Sequence, residues 1–147
     1  MAAQYVVILD ANFLLVPAQL HIDVYAELDR QMPGPFEIIL PDVAYGELEA
    51  KLVRIRTRNP RAQPKLAREL KLAREIAEAR GLREVHVEHS PGQLIDDAIL
   101  QLAEDIRKQG SVPVIATNDI ALRRKARLRK YPTAWVRAKK VVEVSLR

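Results

Sequence analysis

The sequence carries carboxylates at four places from which they could act together. Asp10 and Asp119 each follow a short apolar run, whereas Glu47 and the pair Asp96 and Asp97 lie early in two helical stretches. In a parallel sheet, the carboxyl ends of the strands and the first turns of the following helices lie at the same edge, so these side chains should converge. Carboxylates held close together repel one another, and such clusters are normally held by divalent cations.

The residue types available as ligands indicate which metal this site would bind and which reaction it would catalyse. The chain has no Cys, and its three His residues lack metal-ligand spacing. Hard oxygen ligands therefore remain, and they favour Mg²⁺ or Mn²⁺ over zinc. Two such ions can clamp the attacking and leaving oxygens in phosphodiester hydrolysis.

Each carboxylate also has a structural explanation. Asp10 and Asp119 could cap the turn or helix that follows, and Glu47 could be a solvated helix residue. Asp97 lies opposite the apolar stripe of its helix and could simply favour the helix N-terminus. Asp96 lies nearer the edge of that stripe, so we prefer it as the inward ligand. Singly, each structural explanation is at least as good as the functional one, but jointly they require a coincidence.

Short apolar runs predict the strands that would position these acids. Tyr5 to Leu9 and Val112 to Ala116 are near-continuous apolar runs, typical of strands buried on both faces of a parallel sheet. We expect these two strands to be adjacent and parallel. Further strands are predicted at 36–40, 85–87, 135–136 and 141–144.

Helical patterns alternate with the strands. The predicted helices are residues 21–31, a helix capped by Asp42, a helix from Pro64 to Gly81, a helix that a capping box at Ser90–Gln93 starts with Pro91 at its first position, and a basic helix ending near Lys130. A turn is predicted at 59–64. The alternation predicts one domain over residues 1–147, an α/β fold built as a three-layer α/β/α sandwich around a mostly parallel sheet.

The composition narrows the class of protein. With 147 residues, 48% hydrophobic and 29% charged, the chain is predicted to be soluble and globular. The absence of Cys suits a reducing cytoplasm. No signal peptide is visible and no apolar run approaches the length of a membrane span, so we expect a cytoplasmic protein without a membrane partner.

The charge is unevenly distributed along the chain. The formal net charge is +5, and most of the 24 Lys and Arg residues lie in two segments, 51–74 and 123–147. Solvated helix faces of a heat-adapted protein would explain this pattern. A phosphate-binding surface in two lobes would explain it as well.

Other chemistries fit the sequence poorly. Neither GxxxxGK[ST] nor GxGxxG occurs, so the common nucleotide cradles are absent, and there is no Cys nucleophile. Ser90 follows His89, but the capping box explains Ser90 better. A phospho-aspartate site built on Asp10 usually has a second Asp two residues on, where this chain has Asn12.

In these residues and in their order along the sequence, the chain resembles the PIN-domain nucleases. The positions similar to their four motifs, in order, are Leu9–Asn12, Glu47–Leu48, Asp96 with Ile99 and Ala103, and Thr117–Asp119. The stretch LDANFLLVPAQLHIDVYAEL at 9–28 and the doubled Asp96–Asp97 further resemble the ribosome-biogenesis branch, whose eukaryotic members cleave pre-ribosomal RNA.

The resemblance implies a PIN-like fold and an Mg²⁺- or Mn²⁺-dependent endoribonuclease acting on structured RNA, in particular a ribosomal precursor. The implied catalytic residues are Asp10, Glu47, Asp96 and Asp119, with Asp97 as a further metal ligand. The residues implied to orient ligands are Asn12, Thr117 and Asn118. The residues expected to hold the RNA are Arg54, Arg58, Arg61, Lys65, Arg68, Arg123, Arg124 and Arg127.

Two alternatives stay open at the level of sequence. One is the toxin ribonuclease of a toxin–antitoxin pair, which shares the fold. The other is a non-cleaving RNA-binding assembly factor on the same scaffold. Besides RNA, the resemblance allows a homodimer and ribosome-assembly proteins as partners.

Overall fold

A six-stranded sheet lies at the centre of the fold. The structure, a computed structural model, describes residues 4–58, 61 and 64–146. The strands are β1 (Tyr5–Leu9), β2 (Phe36–Pro41), β3 (Arg83–Val85), β4 (Val112–Ala116), β5 (Thr133–Arg137) and β6 (Val141–Ser145). They pair in the order β3-β2-β1-β4-β5-β6, and every pair is parallel except β5 with β6. The predicted mostly parallel sheet is confirmed.

Helices cover both faces of this sheet. They are α1 (Ala11–Leu14), α2 (Val16–Leu20), α3 (Val24–Gln31), α4 (Asp42–Arg58), α5 (Pro64–Ala79), α6 (Ile95–Lys108) and α7 (Ile120–Leu128). Val7 and Leu9 of β1 pack in the core shared with α1 to α5, whereas Val6 and Ile8 pack with α6 and α7. The predicted three-layer sandwich is therefore confirmed. In the described part of the chain, no helix combines the length and apolar character needed to cross a membrane.

β1 and β4 are adjacent and parallel, as predicted. Tyr5 pairs with Val112 and Leu9 with Ala116, so the two strands end level. From β1 the chain moves outward to β2 and β3 with helices on one face. It then returns to β4 and continues to β5 with helices on the other face. The reversal between β1 and β4 is a topological switch point, where crevices for ligands form in open α/β sheets.

Helix α3 covers the free edge of β6. Val136 of β5 donates its N–H to the Asn118 side chain at 2.8 Å, away from β6, so its cross-strand partner Val142 directs its own N–H and C=O outward. That outward carbonyl accepts a hydrogen bond from Nε2 of Gln31 at 2.8 Å.

The segment after β1 is more helical than predicted. Helices α1 and α2 precede His21, where the sequence predicted no helix, because the run Phe13–Val16 is buried on all sides and shows no amphipathic period. His21 has a left-handed φ of 57° at the end of α2. Asp23 then caps α3 by accepting the N–H of Ala26 at 3.0 Å, so the helix predicted from His21 begins at Val24.

Asp42, the predicted cap, is instead the first residue of α4. Its Oδ1 accepts the N–H of Val87 at 3.0 Å, and its Oδ2 lies 2.7 Å from Nδ1 of His86. This contact holds Val87 outside β3, which ends at Val85 rather than at the predicted residue 87. Most of the turn predicted at 59–64 lies outside the described residues.

The predicted start of α6 is wrong. The N–H of Ser90 does bond to Oε1 of Gln93 at 3.1 Å, but the bond closes a turn rather than a helix N-terminus. Gly92 in that turn has a φ of +80°, a backbone conformation that interrupts a right-handed helix. Leu94 becomes the N-cap and α6 begins at Ile95.

Candidate active site

A cleft of about 380 Å³ opens at the carboxyl ends of β1 and β4. Asp10 enters it directly after β1, Asp119 after β4, Glu47 from the second turn of α4 and Asp96 from the first turn of α6. The parallel sheet thus brings these four predicted positions to one place. The other lining residues are Ala11, Asn12, Leu15, Gln19, Leu48, Lys51, Arg54 and Leu66.

Asp10 is the most enclosed of the four carboxylates, with 6% of its surface exposed. Its Oδ1 accepts the N–H of Ala11 at 2.9 Å, which caps α1. Its Oδ2 accepts the hydroxyl of Thr117 at 2.7 Å and Nδ2 of Asn12 at 3.1 Å. Burial raises the pKa of Asp10, the bonds from Thr117 and Ala11 oppose this rise, and the Asp119 charge adds to it. The net rise means that the ionised carboxylate remains undercompensated.

Thr117 links the ends of β1 and β4. Its fully buried hydroxyl donates to Asp10 and accepts the N–H of Asp119 at 3.0 Å, so one oxygen holds both acids in place. Asn12 accepts the N–H of Asn118 at 2.9 Å through its Oδ1. The Asn118 side chain instead accepts an N–H of β5. Of the three residues predicted to orient ligands, Thr117 and Asn12 touch Asp10, whereas Asn118 supports the sheet.

Asp119 is the N-cap of α7. Its Oδ1 accepts the N–H groups of Ala121 and Leu122 at 2.8 and 3.3 Å. Within the described residues, Oδ2 accepts no hydrogen bond and is available to a ligand. Capping and ligand binding are therefore compatible at this residue.

Glu47 and Asp96 complete the cluster electrostatically. Partial burial raises the pKa of Glu47, the charges of Asp10 and Asp96 raise it further, and Arg54 opposes the rise. Burial and the charge of Asp119 likewise raise the pKa of Asp96. Glu47 therefore senses the other three carboxylates, and Asp96 senses Asp119 and Asp10.

Asp97 lies beside the cleft rather than in it. Nζ of Lys125 lies 3.8 Å from Oδ1 of Asp97 and 3.9 Å from Oδ2 of Asp96. Asp96 lines the cleft, whereas the side chain of Asp97 is 45% exposed and does not. This geometry favours Asp96 over Asp97 as an inward ligand, and the predicted metal role of Asp97 lacks support here.

The four carboxylates suit Mg²⁺ or Mn²⁺ by their chemistry. Within residues 4–58, 61 and 64–146, no three His, Asp or Glu side chains are already arranged to hold a metal ion. Mg²⁺, however, usually keeps several waters and takes only one or two carboxylates directly. Hard oxygen donors on several rigid elements, with undercompensated charge, fit such an ion.

Comparison with known proteins identifies the family. The model of a family described as a PIN like domain matches residues 7–139. This chain belongs to that family. Proteins with the PIN-like domain are generally nucleases. Ribonuclease VapC4 of Methanocaldococcus jannaschii is 29% identical over 140 residues, which span 95% of this chain and 96% of that protein.

Two solved structures share the fold of this PIN-like domain. The PIN domain endonuclease Utp24 superposes with a TM-score of 0.64 at 24% identity, over 98% of this chain and 93% of that chain. A domain of a functionally unknown protein from Methanocaldococcus jannaschii superposes with a TM-score of 0.60 at 18% identity, over 99% of both chains. At these identities the similarity concerns the fold.

Basic residues of the PIN-like domain line the α4 side of the cleft. Arg54, predicted to hold RNA, lines it together with Lys51. Lys51 was missed as a separate site residue, although it follows Glu47 by four positions and such pairs share a helix face. Lys65 and Arg68, also predicted, line a neighbouring pocket of about 590 Å³.

That neighbouring pocket is next to the cleft, and Gln19 lines both. The remaining predicted residues on this side, Arg58 and Arg61, are exposed at and beyond the end of α4. A basic surface therefore extends from the carboxylates along α4 and α5.

On the other side of the PIN-like domain, α7 carries the remaining predicted basic residues. The guanidinium carbons of Arg123 and Arg127 lie 4.7 and 5.3 Å from the ring centroid of Trp135, whereas Arg124 is exposed. The sequence predicted only a strand at Trp135. The spacing of the two arginines puts them on one helix face, but sequence alone does not say which strand that face meets.

Proposed function

We propose that this protein is an endoribonuclease that uses Mg²⁺ or Mn²⁺ to hydrolyse phosphodiester bonds of RNA, with a role in ribosomal RNA processing. One observation carries the proposal: Asp10, Glu47, Asp96 and Asp119 line one cleft, and the first three have raised pKa values. Carboxylates that repel one another in a partly buried cleft are stabilised by a bound cation. The basic surfaces beside the cleft suit a polyanionic substrate.

In this proposal the four carboxylates hold the metal, directly or through water. A divalent cation held by these carboxylates would supply Lewis-acid chemistry, activating the phosphate and the attacking water at neutral pH. Thr117 and Asn12 favour the ionised form of Asp10 against the effect of burial, and they fix its orientation by donating to its Oδ2. Lys51 and Arg54 would bind the RNA backbone at the cleft wall.

A cleavage assay with a matched pair of variants tests this proposal. Purified protein is incubated with precursor ribosomal RNA in Mn²⁺, with and without an excess of chelator. Glu47→Gln should lower the cleavage rate by about 100-fold or more, because even residues that only support metal ligands are worth about 10- to 100-fold. Glu49→Gln, on the same helix but outside the cleft, should leave the rate unchanged.

The outcomes separate the candidate roles. Cleavage that requires metal and Glu47 supports the enzyme. RNA binding without cleavage at any Mn²⁺ or Mg²⁺ concentration contradicts it and supports the assembly factor. Cleavage that persists in Glu47→Gln contradicts the proposed site.

The role in ribosomal RNA processing is supported by the resemblance of residues 9–28 to the ribosome-biogenesis branch. In the fold, this segment spans the end of β1 through most of α3 and includes Asp10 and Asn12. Mapping the 5′ ends of the products on precursor ribosomal RNA tests the role. A single cut at a precursor boundary is expected, and cuts scattered over unrelated RNAs would contradict it.

A toxin ribonuclease is the second candidate, favoured by the similarity to ribonuclease VapC4 along almost the whole chain. Expression of the wild type in a heterologous host distinguishes the two roles. Growth arrest that Asp10→Asn abolishes would favour the toxin. Normal growth together with a specific cut in the precursor would favour the processing enzyme.

A further inference from the structure

Trp135 lies at the same edge of the sheet as the carboxylate cleft. Ala134 pairs with Ala116, and the N–H of Thr117 bonds to the Ala134 carbonyl at 2.9 Å. Trp135 therefore follows at the level of Thr117 and Asn118. Since Ala134 packs in the core with α1 to α5, its neighbour Trp135 points to the opposite face, where α7 lies.

Two arginines of α7 stack on this indole. Arg123 and Arg127 are four residues apart on one helix face, and their guanidinium carbons lie 4.7 and 5.3 Å from the ring centroid. The aromatic ring attracts each cation. The two cations nevertheless repel each other, and the pKa of Arg123 is lowered first by burial and then by the charge of Arg127.

No carboxylate compensates this pair within the described residues. Neither guanidinium of Arg123 or Arg127 forms an ion pair or a hydrogen bond there. The other arginine–aromatic contacts of the described chain all include an acid, at 2.6 to 3.9 Å from the guanidinium. These contacts are Arg74 on Tyr45 with Glu78 and Glu84, Arg80 on Tyr25 with Asp23, and Arg107 on Tyr131 with Glu104.

A guanidinium stacked by its face on a ring keeps its N–H edge for a ligand, and that edge matches a phosphate in a bidentate manner. Because the indole is already in contact with the two cations, it offers a nucleobase little free surface for stacking. A phosphate is therefore the better match, and one phosphate can neutralise charge from both arginines.

The distance from the cleft fits a substrate strand. Arg123 and Arg127 follow Asp119 by four and eight positions, which is about 6 and 12 Å along the helix axis. A stacked strand advances about 3.4 Å per nucleotide, so these distances correspond to about two to four nucleotides.

We propose that Arg123, Arg127 and Trp135 form a clamp that binds a backbone phosphate of the RNA about two to four nucleotides from the scissile bond. This clamp, which we call the tryptophan clamp, rests on the proposed nuclease function. Trp135 is a positioning residue: it holds the two guanidinium groups side by side so that both reach the same phosphate. The enzyme should therefore prefer substrates long enough to reach the clamp.

The test compares two substrates in Mn²⁺: a single-stranded RNA of twelve nucleotides and a dinucleotide that is too short to reach Arg123 and Arg127. The double variant Arg123→Ala/Arg127→Ala should raise KM for the longer RNA by about tenfold or more without changing kcat, because hydrogen bonds to charged groups are lost. Its kcat/KM for the dinucleotide should equal that of the wild type. Equal KM values of wild type and double variant for the longer RNA would overturn the clamp.

Three further variants distinguish phosphate binding by the clamp from a purely structural role of these side chains. Arg107→Ala removes an arginine from an aromatic ring near the C-terminal end of α6, away from the cleft, and should leave both substrates unaffected. Trp135→Leu keeps both charges but removes the platform, so KM for the longer RNA should rise several-fold, and Trp135→Phe should restore most of the affinity. If Trp135→Leu fails to fold, Trp135→Phe and the double variant Arg123→Ala/Arg127→Ala still test the clamp.

Binding in chelator distinguishes failure of the clamp from failure of the proposed function. For the longer RNA, the plot of log K against log salt should lose about 0.7 units of slope in the double arginine variant, because one phosphate contact is lost. If no RNA is cleaved but this slope changes, the clamp stands and the nuclease function fails. If RNA is cleaved and the slope is unchanged, the clamp fails and the nuclease function stands.

Discussion

The carboxylates of the cleft and those elsewhere on the protein differ in how their charge is compensated. In the cleft, burial raises the pKa of Asp10, Glu47 and Asp96, and neighbouring carboxylates raise it further. Outside the cleft, donors dominate: a backbone N–H lowers the pKa of Asp23, and a tyrosine hydroxyl lowers that of Glu104. An ionised Asp or Glu therefore stabilises the folded state outside the cleft and destabilises it inside the cleft.

The arginines also differ from place to place in how their positive charge is compensated. Arg107 stacks on Tyr131 beside Glu104, whereas the tryptophan clamp contains two arginines and no acid within the described residues. Undercompensated charges of both signs thus lie at the same edge of the sheet. In the proposed function, a metal ion and a phosphate backbone would neutralise them together.

The largest effect is expected from Asp10→Asn on cleavage. Asn has a similar size but lacks the charge that holds a cation, so the rate in Mn²⁺ should fall by more than about 100-fold. RNA affinity measured in chelator should stay within about twofold, since the basic surfaces are untouched. Residual cleavage near the wild-type rate would show that Asp10 acts only as the cap of α1.

Thr117→Val should lower cleavage by about 10- to 100-fold, because its hydroxyl holds both Asp10 and Asp119. It should also lower the free energy of unfolding by about 1 kcal/mol, since the partly buried N–H of Asp119 loses its acceptor. Thr117→Ser keeps the hydroxyl and should retain most of the activity. Equal loss in Val and Ser variants would mean that the methyl group, not the hydroxyl, matters.

Two Asp→Asn variants should change stability in opposite directions. In chelator, Asp10→Asn removes a repulsive charge and should raise the melting temperature by about 2–4 °C, for a net gain of about 1 kcal/mol. Asp23→Asn keeps the N-cap but loses the attraction to Arg80, so it should lower the melting temperature slightly.

Metal should reverse the effect of Asp10→Asn on the melting temperature and leave the effect of Asp23→Asn unchanged. In saturating Mn²⁺ the wild type gains binding energy that Asp10→Asn lacks, whereas the effect of Asp23→Asn should not depend on metal. A wild type whose melting temperature ignores Mn²⁺, together with a destabilised Asp10→Asn, would contradict the comparison.

The smallest expected effect is the dependence of stability on pH. It is measured as the melting temperature in chelator between pH 7 and pH 3. The folded pKa of Asp10 lies above its ordinary 3.8, so its destabilising charge is present above the raised pKa and vanishes as the pH falls toward 3.8. The folded pKa of Asp23 lies below 3.8, so its stabilising charge persists until the pH falls through that lower value.

As the pH falls, the difference in melting temperature between wild type and Asp10→Asn should therefore disappear before pH 3.8 is reached. The difference between wild type and Asp23→Asn should disappear only below pH 3.8. Disappearance in the reverse order would show that burial does not govern Asp10.

The sequence predicted the parts of the site that depend on regular periodicity. The runs at Tyr5–Leu9 and Val112–Ala116 are apolar throughout, which is typical of strands buried on both faces of a parallel sheet, and the two strands are adjacent as expected. The short helices after Asp10 were missed because an apolar run buried on all sides has no amphipathic period. The start of α6 was missed because the capping pattern at Ser90 also suits an isolated turn around Gly92.

Side-chain contacts between distant elements could not be predicted in this way. Nothing in the sequence states that Lys125 lies beside Asp97, or that Trp135 faces α7, because both contacts depend on how α6, α7 and β5 pack. The acids were found because strand ends and helix starts share an edge, whereas lateral neighbours require the register of the packed layers.

The bond from Gln31 to Val142 affects how copies of this protein can associate. A strand added to β6 from another molecule would need the outward carbonyl of Val142, the second residue of this five-residue edge strand, and Gln31 already occupies it. At the opposite edge, β3 has only three residues. Short or blocked edges protect proteins against edge-to-edge aggregation. Sheet extension is therefore disfavoured on both sides, so we expect any self-association to use other surfaces of the protein.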